Sequence, residues 1–421
     1  MTDWYNNMTS DSTKGILTIL KSFDIEPRPL DHIVSDYFAK HREIHSRDRR
    51  LVADAVFDIM RYKRRIDFVL KTYGQKNIDG QKRIEAYRCW MEDDKSRLSI
   101  PKDAFEDREG VFHGKTVDYL SFPDFIYKDI CKEYGSKRAF DILDSLNKSA
   151  PPTLRVNIKN TNRQDAIDAL ERDNINAVPT KYSPYGIVID KRINLESKDI
   201  FKKGFVEFQD EASQICSILS YDKGSGFVLD ACAGAGGKTL AIGMLCSDDV
   251  RIFATDIDSS KLSILRKRVR RAGLKNVEAI PSGSLENIKK FKGKFDTVII
   301  DAPCSGTGTM RRAPDIRWRL SPSDIDDYVD KQNSLIREYS NWVKVGGRLI
   351  YITCSILSSE NRKLVDNLLK SEKFRPEAIE KRIENAGLKF DKDLNNKAYL
   401  SFLPDVHSWD GFFIASLIRH Q

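Results

Sequence analysis

The spacing of apolar residues predicts a helical segment at the start of the chain and a change of structure near residue 150. Over about residues 12–147, apolar positions recur every three or four residues, as at Ala55 and Ile59. The sequence Ala-Pro-Pro at 150–152 interrupts this pattern, because proline disfavours helix both at its own position and at the one before it. Residues 154–158 then alternate between apolar and polar in the manner of a strand. We therefore expect a boundary at about residue 150.

From Phe205 onward, short apolar runs alternate with helical patterns. This alternation is typical of a doubly wound parallel sheet with helices on both faces. The predicted strands are 226–230, 251–256, 277–280, 295–301 and 348–353, with 411–418 as an edge strand. The expected domains are a helical domain over 1–149, a small α/β unit over 150–204 and a doubly wound domain over 205–421.

Composition indicates an ordinary globular protein. The 421 residues are 40% hydrophobic and 31% charged, which is enough to build two or three folded domains. Because no apolar run approaches the roughly 20 residues that span a bilayer, we expect no membrane partner. The seven cysteines are scattered rather than paired, which favours free thiols in a reducing, cytoplasmic compartment. The six histidines show no metal-binding spacing, so no metal is expected.

The net charge of +8 favours a polyanionic partner, although charge alone does not separate nucleic acid from other partners. Two basic runs, at 40–50 and 61–65, concentrate positive charge in the helical domain. Either these runs form a solvated helix face or they contact RNA, and we favour RNA.

A glycine-rich loop follows the first strand of the sheet. Gly234, Gly236 and Gly237 lie between a predicted strand and a predicted helix, where glycine allows a ligand to approach the backbone. Asp256 ends the next predicted strand, where an acid can accept hydrogen bonds from ribose hydroxyls. A phosphate-binding P-loop would need glycine at Cys232, and the glycine spacing also differs from the dinucleotide fingerprint. The loop therefore predicts a nucleoside cofactor other than a dinucleotide.

Two cysteines follow two other strands of the sheet. Cys304 comes just after 295–301, and Cys354 comes directly after 348–353. Because the carboxyl ends of parallel strands share one edge, both thiols can face the same crevice. A lone cysteine at a strand end is most often a small buried apolar residue. Two such thiols beside a nucleoside cofactor instead suggest methyl transfer through a covalent adduct on a base, with Asp301 placed to bond the base edge.

The motifs resemble those of the Sun/RsmB family of RNA cytosine-5 methyltransferases. The likeness is carried by residues 230–239, 301–308, 311–318 and 351–355, with further matches at 49–61, 152–157, 205–213 and 410–413. It implies an α/β fold with three parts: a Rossmann-like class I methyltransferase domain, a preceding small RRM-like unit and an N-terminal all-α NusB-like domain.

The resemblance also implies roles for individual residues. Residues alone leave open which thiol attacks the base, but in the family the nucleophile corresponds to Cys354, and Cys304 assists release of the product. The cofactor implied is S-adenosylmethionine. Its predicted contacts are Cys232, Ala233, Gly234, Ala235, Gly236, Gly237, Lys238, Asp256, Ser282 and Asp301.

The expected function is formation of 5-methylcytidine in RNA, with 16S ribosomal RNA as the leading substrate. Candidate RNA contacts are Arg155, Asn157, Arg311 and Arg312. A tRNA methyltransferase of the same chemistry is an alternative, as is a non-catalytic RNA-binding factor for ribosome assembly. We expect a monomer.

Overall fold

The computed structural model describes residues 10–92, 98, 100–101, 104–105, 114–221, 224, 226–390, 398–406 and 409–421; within these ranges the side chains of residues 92, 282, 283, 285 and 287 are not described. The chain forms two compact units, one of residues 1–149 with 309–322 and the other of residues 150–308 with 323–421. No helix among the described residues has both the length and the apolar character needed to cross a membrane.

The first unit is helical, as its apolar spacing predicts. Its helices are α1 (Ser10–Ile25), α2 (Leu30–Lys40), α3 (Ser46–Arg61), α4 (Lys63–Thr72), α5 (Gly80–Glu92), α6 (Thr116–Leu120), α7 (Asp124–Tyr134) and α8 (Ser136–Ser145). The apolar stripe of α3 that includes Ala55 and Ile59 is buried, and it packs in one core with residues of α1, α2, α4 and α5. Burial of this stripe, more than intrinsic helix propensity, stabilises such amphipathic helices.

Residues 309–322 pack with this helical unit, although their position in the sequence predicts that they belong to the third domain. Arg317 is fully buried and donates hydrogen bonds to the carbonyls of Arg61 and Ser121 and to Oδ1 of Asn147. Its guanidinium also lies 3.8 Å from the centre of the Phe122 ring. These contacts satisfy polar groups that would otherwise be buried without partners, so one side chain joins three segments of the unit.

The second unit begins with a four-stranded antiparallel sheet. Its elements are β1 (Thr153–Val156), α9 (Arg163–Arg172), β2 (Ala177–Pro179), β3 (Gly186–Ile189), α10 (Asp199–Lys202) and β4 (Val206–Phe208), and the strand order is β2-β3-β1-β4. This βαββαβ arrangement is ferredoxin-like. It matches the small α/β unit expected from the sequence, with its last strand extending past residue 204.

The rest of the second unit is built on a larger sheet. Its elements are α11 (Glu211–Ser220), β5 (Phe227–Asp230), α12 (Gly237–Leu245), β6 (Arg251–Asp256), α13 (Ser259–Arg271), β7 (Val277–Pro281), β8 (Phe295–Asp301), α14 (Ile316–Arg319), α15 (Pro322–Tyr339), β9 (Val343–Thr353), α16 (Arg362–Leu369), β10 (Phe374–Pro376), α17 (Ile379–Asn385), β11 (Tyr399–Phe402) and β12 (Phe412–Arg419). Of these, α14 and the first residue of α15 belong to the helical unit.

In the strand order β10-β12-β9-β8-β5-β6-β7, β6 and β7 follow on one side of β5 while β8 and β9 lie on its other side, so the topological switch point is between β5 and β8. Strands β5, β6, β7, β8 and β9 pair in parallel. Along β8, Ile299 packs into one core while Val298 and Ile300 pack into another, because successive side chains point to opposite faces. The resulting Rossmann-like sheet has a crevice at the carboxyl ends of β5 and β8, where ligands bind in such folds.

The last strand differs from its prediction. The apolar run at 411–418 predicts an edge strand, but β12 pairs antiparallel with β9 on one side and with β10 and β11 on the other. Residues 412–417 are all buried. Both faces of β12 are covered, which explains why residues 412–415 are apolar at successive positions rather than at alternate ones.

Replacing Arg317 with methionine tests its role in the helical unit. We expect the free energy of unfolding to fall by about 2–4 kcal/mol, because three acceptors lose a charged donor inside the protein. Urea denaturation followed by tryptophan fluorescence measures this change. The matched control is Arg50→Met, which removes an exposed arginine and should cost less than about 1 kcal/mol. Equal effects from the two variants would contradict the proposed role.

Candidate active site

Three loops with polar and thiol side chains meet at the crevice. Strand β5 ends at Asp230, β8 ends at Asp301 and β9 ends at Thr353. Because these strands are parallel neighbours, the loops that follow them leave the sheet at the same edge. They are the glycine loop (residues 231–237), the Cys304 loop (302–308) and the Cys354 loop (354–361).

The structure brings the two cysteines into contact. The Sγ atoms of Cys304 and Cys354 lie 3.3 Å apart, and both residues are partly buried free thiols. The pKa of Cys304 lies well above its usual range, because its thiol shares a hydrogen bond with Cys354 and is removed from water. Both effects favour the thiol form of Cys304 over its thiolate.

A buried carboxylate joins the two cysteine loops. Glu360 is fully buried, and its Oε1 accepts hydrogen bonds from the backbone N–H of Ser305 at 2.8 Å and from Nε2 of Gln332 at 3.0 Å. Its Oε2 accepts from the hydroxyls of Ser305 and Ser355. Gln332 also donates to the carbonyl of Pro303. Charge-assisted hydrogen bonds of this kind are stronger than neutral ones, so this network fixes the loops relative to each other.

The loops also touch through their backbones. The N–H of Gly308 donates to the carbonyl of Cys354 at 2.9 Å, and the N–H of Gly411 donates to the carbonyl of Gly308 at 2.8 Å. A Cβ atom at Gly308 would lie 2.1 Å from the carbonyl oxygen of Gly411. Glycine at 308 is therefore required for this close approach.

The glycine loop leaves open space beside its backbone. Gly236 has a φ of +88°, and a Cβ there would lie 2.1 Å from Cδ1 of Leu265, so both conformation and packing require glycine. A Cβ at Gly234 or Gly237, in contrast, would meet nothing within 4 Å. The loop thus packs against the protein at Gly236 and can accommodate a ligand beside Gly234 and Gly237.

The acid at the end of β6 is held next to this loop. Asp256 accepts the N–H of Gly234 at Oδ2 and the N–H of Asp258 at Oδ1, each at 2.8 Å. A carboxylate oxygen can accept more than one hydrogen bond, so both oxygens can also bind ribose hydroxyls. The next residue, Ile257, is 91% exposed and provides an apolar surface that a planar base can cover.

An ion pair lies between the glycine loop and the Cys304 loop. Nζ of Lys238 is 2.7 Å from Oδ2 of Asp301 and 5.1 Å from the centre of the Phe412 ring. Burial alone would lower the pKa of Lys238, but the charge and hydrogen bond of Asp301 outweigh it and raise the pKa. The Asp301 side chain remains 31% exposed, so a bound base can still reach it.

Two groups near the loop are structural in character. Asp230 is buried and accepts a hydrogen bond from Thr239 at 2.6 Å, and burial raises its pKa to about 7. Burial also raises the pKa of Cys232 well above its usual range, with nearby acids adding to the effect. A thiol in such surroundings is a poor nucleophile.

The other predicted cofactor contacts are in the same region. Ala233 is buried and its N–H bonds the carbonyl of Thr255, while the carbonyl of Ala235 accepts a hydrogen bond from Arg268. Ser282 starts a short 3-10 segment after β7, but its side chain lies outside the described part of the chain.

Two of the predicted RNA contacts are not exposed to solvent. Arg155 is 3% exposed and donates to the carbonyl of Gly237, and Asn157 is 4% exposed and donates to the carbonyls of Gly204 and Ala272. Contrary to the sequence expectation, both side chains bind the protein's own backbone. The alternating pattern at 154–158 predicts exposed strand positions, but every residue of β1 is buried, and Asn157, which follows β1, is buried as well.

The two arginines after the Cys304 loop differ in their exposure to solvent. Arg311 is 5% exposed and donates to the carbonyl of Ser149, so it too is turned inward, contrary to its predicted contact with RNA. Arg312 is partly exposed.

Sequence reasoning missed three groups at this site: Glu360, Gln332 and Ile257. Glu360 lies six residues after Cys354, and its carboxylate reaches the other cysteine loop only in the folded chain. Ile257 had a local signal, since it is an apolar residue directly after an acid at a strand end.

Comparison with known proteins agrees with this architecture. Residues 218–418 match the family described as 16S rRNA methyltransferase RsmB/F, and residues 122–196 match the ferredoxin-like domain of RsmF/B-like methyltransferases. Together, the two matches cover more than half of the chain.

Individual relatives extend over nearly the whole length. A probable ribosomal RNA small subunit methyltransferase B from Bacillus subtilis (strain 168) is 27% identical over 98% of this chain and 92% of its own. A ribosomal RNA small subunit methyltransferase B from Sodalis glossinidius (strain morsitans) is 26% identical over 89% of this chain and 91% of its own. The crystal structure of PH0851 is 24% identical and superimposes with a TM-score of 0.76 over 97% of this chain and 99% of that one, which shows the shared fold. From these matches, the chain belongs to the RsmB/F family of methyltransferases.

Proposed function

We propose that this protein transfers a methyl group from S-adenosylmethionine to carbon 5 of a cytidine in 16S ribosomal RNA. The observation that carries the proposal is the pair of thiols, Cys304 and Cys354, 3.3 Å apart beside the glycine loop. The names of the relatives support ribosomal RNA as the substrate class.

Cytosine chemistry explains why a thiol is needed. Carbon 5 of the ring is a weak nucleophile, and addition of a thiolate to carbon 6 makes it an enamine carbon that can take a methyl group. Loss of the carbon 5 proton, to water or to Cys304 once it has given up its own proton, is followed by breakage of the Sγ–C6 bond, whose electron pair returns to the sulfur. The base regains its aromatic ring and the attacking cysteine is regenerated.

The family resemblance assigns the attack to Cys354 and the release step to Cys304. The two Sγ atoms are 3.3 Å apart, so when one sulfur carries negative charge the other can donate a hydrogen bond to it. Lys238 interacts electrostatically with Cys354, and a cation there stabilises negative charge that develops on that sulfur.

Asp301 supports recognition of the base. Its carboxylate is oriented by Lys238 and remains partly exposed, so it can accept a hydrogen bond from the exocyclic amine or from a protonated ring nitrogen. Such a contact stabilises the charge that builds on the ring when the thiolate adds.

The glycine loop fits the cofactor. Gly234 and Gly237 leave room for the ligand, Asp256 can accept the ribose hydroxyls, and Ile257 can cover the adenine. When bound, S-adenosylmethionine supplies the methyl group on an electron-poor sulfonium. The chain's part is to orient that group toward carbon 5 and to exclude water.

The first experiment compares the wild type with Cys354→Ala and Cys304→Ala, using tritiated S-adenosylmethionine and total RNA from cells that lack the protein. We expect the wild type to label 16S ribosomal RNA as 5-methylcytidine. Cys354→Ala should be inactive, because no bond to carbon 6 forms, and Cys304→Ala should accumulate a covalent RNA adduct, because release fails.

Each other outcome has a definite meaning. An adduct in Cys354→Ala would reverse the roles of the two thiols, and labelled tRNA would change the substrate class. No transfer to any RNA by a wild type that binds the cofactor would contradict the proposal and favour an RNA-binding assembly factor.

Glu360→Gln tests whether the buried carboxylate sets the geometry of the thiols. An amide presents N–H groups where the carboxylate accepts hydrogen bonds, so we expect the turnover rate to fall about ten- to a hundredfold. Glu384→Gln, an exposed acid on α17, is the matched control and should keep full activity. Turnover by Glu360→Gln within a factor of two or so of the wild type would argue against this role.

The short distance between the thiols predicts that a mild two-electron oxidant closes them into a disulfide. Diamide takes up the two protons and two electrons that the thiols lose, and methyl transfer should then stop until dithiothreitol reduces the bond. Peptide mapping should find Cys304 joined to Cys354, while Cys216, which is buried, stays a thiol. If both active-site thiols can still be alkylated after treatment, the pair is farther apart in solution.

A further inference from the structure

The backbone of the glycine loop accepts hydrogen bonds from two arginines, one buried and one partly buried. Arg155, on β1 of the ferredoxin-like sheet, donates from Nη1 to the carbonyl of Gly237 at 2.7 Å. Arg268, on α13, donates from Nη1 to the carbonyl of Ala235 at 2.7 Å. The two carbonyls lie on either side of Gly236, the residue with the left-handed φ. The loop is thus fixed by hydrogen bonds to the carbonyls of Ala235 and Gly237, on the two sides of its turn at Gly236.

Other polar residues of the ferredoxin-like sheet and the segment after it support the arginines. Glu207, on β4, stands opposite Arg155 in the antiparallel pair and is 5% exposed. It accepts hydrogen bonds from Arg268 at 3.1 Å and from Arg271. Gln209, just after β4, accepts from the same Nη1 of Arg155. The network therefore joins β1, β4 and α13 to the loop.

Burying the charged guanidinium of Arg155 costs free energy, and its hydrogen bonds must offset that cost. Burial lowers its pKa to about 9, and Glu207 opposes that change. At neutral pH the guanidinium is still charged, and a buried charge of this kind is tolerated only where acceptors surround it. The acceptors in this case include a backbone carbonyl of the cofactor loop.

Peptide geometry connects this contact to ligand binding. In a trans peptide the carbonyl and the N–H point in opposite directions. Because Arg155 holds the carbonyl of Gly237, the N–H of Lys238 in the same peptide is directed away from Arg155. Lys238 lies in the first turn of α12, where N–H groups lack partners within the helix and can bind a ligand.

We propose that Arg155 and Arg268 are positioning residues for the cofactor loop, so that the ferredoxin-like subdomain helps to set the affinity for S-adenosylmethionine. The inference rests on the proposed function in one respect, that the glycine loop binds this cofactor. It gives β1 a part in cofactor binding, in place of the contact between Arg155 and RNA that the sequence suggested.

The test measures cofactor binding and RNA binding separately on the full chain. Isothermal titration with S-adenosylmethionine gives the dissociation constant for the wild type, Arg155→Met, Arg155→Lys and Arg268→Met. We expect both methionine variants to bind about ten- to a hundredfold more weakly, and Arg155→Lys to fall in between, since lysine keeps the charge but not the forked donor. The matched control is Arg172→Met, an exposed arginine on α9 that should bind like the wild type.

Kinetics separates positioning from a general structural effect. For Arg155→Met, the KM for S-adenosylmethionine should rise while the KM for RNA and kcat at saturating cofactor stay near wild-type values. If Arg155→Met does not fold, as judged by its circular dichroism and melting temperature, Arg155→Lys and Arg268→Met carry the test.

The outcomes distinguish this inference from the proposed function. A wild type that does not bind S-adenosylmethionine defeats the proposed function itself. A wild type that binds, with variants of equal affinity, overturns the inference alone. A rise in the KM for RNA with unchanged cofactor affinity would return Arg155 to the role of an RNA contact.

Discussion

The buried carboxylate of Glu360 is the interaction on which the proposed chemistry most depends. Parallel pairing brings the ends of β8 and β9 to one edge, but neighbouring strands are about 4.8 Å apart and the loops beyond them are free to diverge. Glu360 prevents this by accepting hydrogen bonds from both loops at once. The thiols can then stay in contact without a covalent bond, and each remains available for a different step.

Charged groups also fix other parts of the site in place. Lys238 is anchored by Asp301, Gly234 by Asp256 and Gly237 by Arg155. In each case a charged group fixes backbone or side chain in place while the surface toward the crevice stays open. Such preorganisation reduces the rearrangement needed when ligands bind, which is how fixed dipoles and charges contribute to catalysis.

The pattern of residues along the chain predicted the features that are determined by neighbouring residues, such as strands and turns. The apolar runs predicted β6 and β8 with the bounds observed, and the glycine-rich segment lies between β5 and α12 as expected. The meeting of Cys304 with Cys354 followed from the topology of parallel sheets. What the pattern could not supply were contacts between distant residues: Arg155 finds its acceptor 82 residues away, and Glu360 reaches Ser305 across 55. A charged residue in a short strand looks like a surface residue until its partner is known.

Residues 309–322 belong to the helical unit, so this unit cannot be removed by truncating the start of the chain. This segment continues directly from the Cys304 loop, yet Arg317 and Trp318 find their partners among the helices, at Asn147 and at Met60. Removing the first 149 residues would strip these side chains of their surroundings and leave a buried cation and an indole facing water. Because the helical unit includes residues 309–322, a cut after residue 149 does not separate this unit from the rest of the chain.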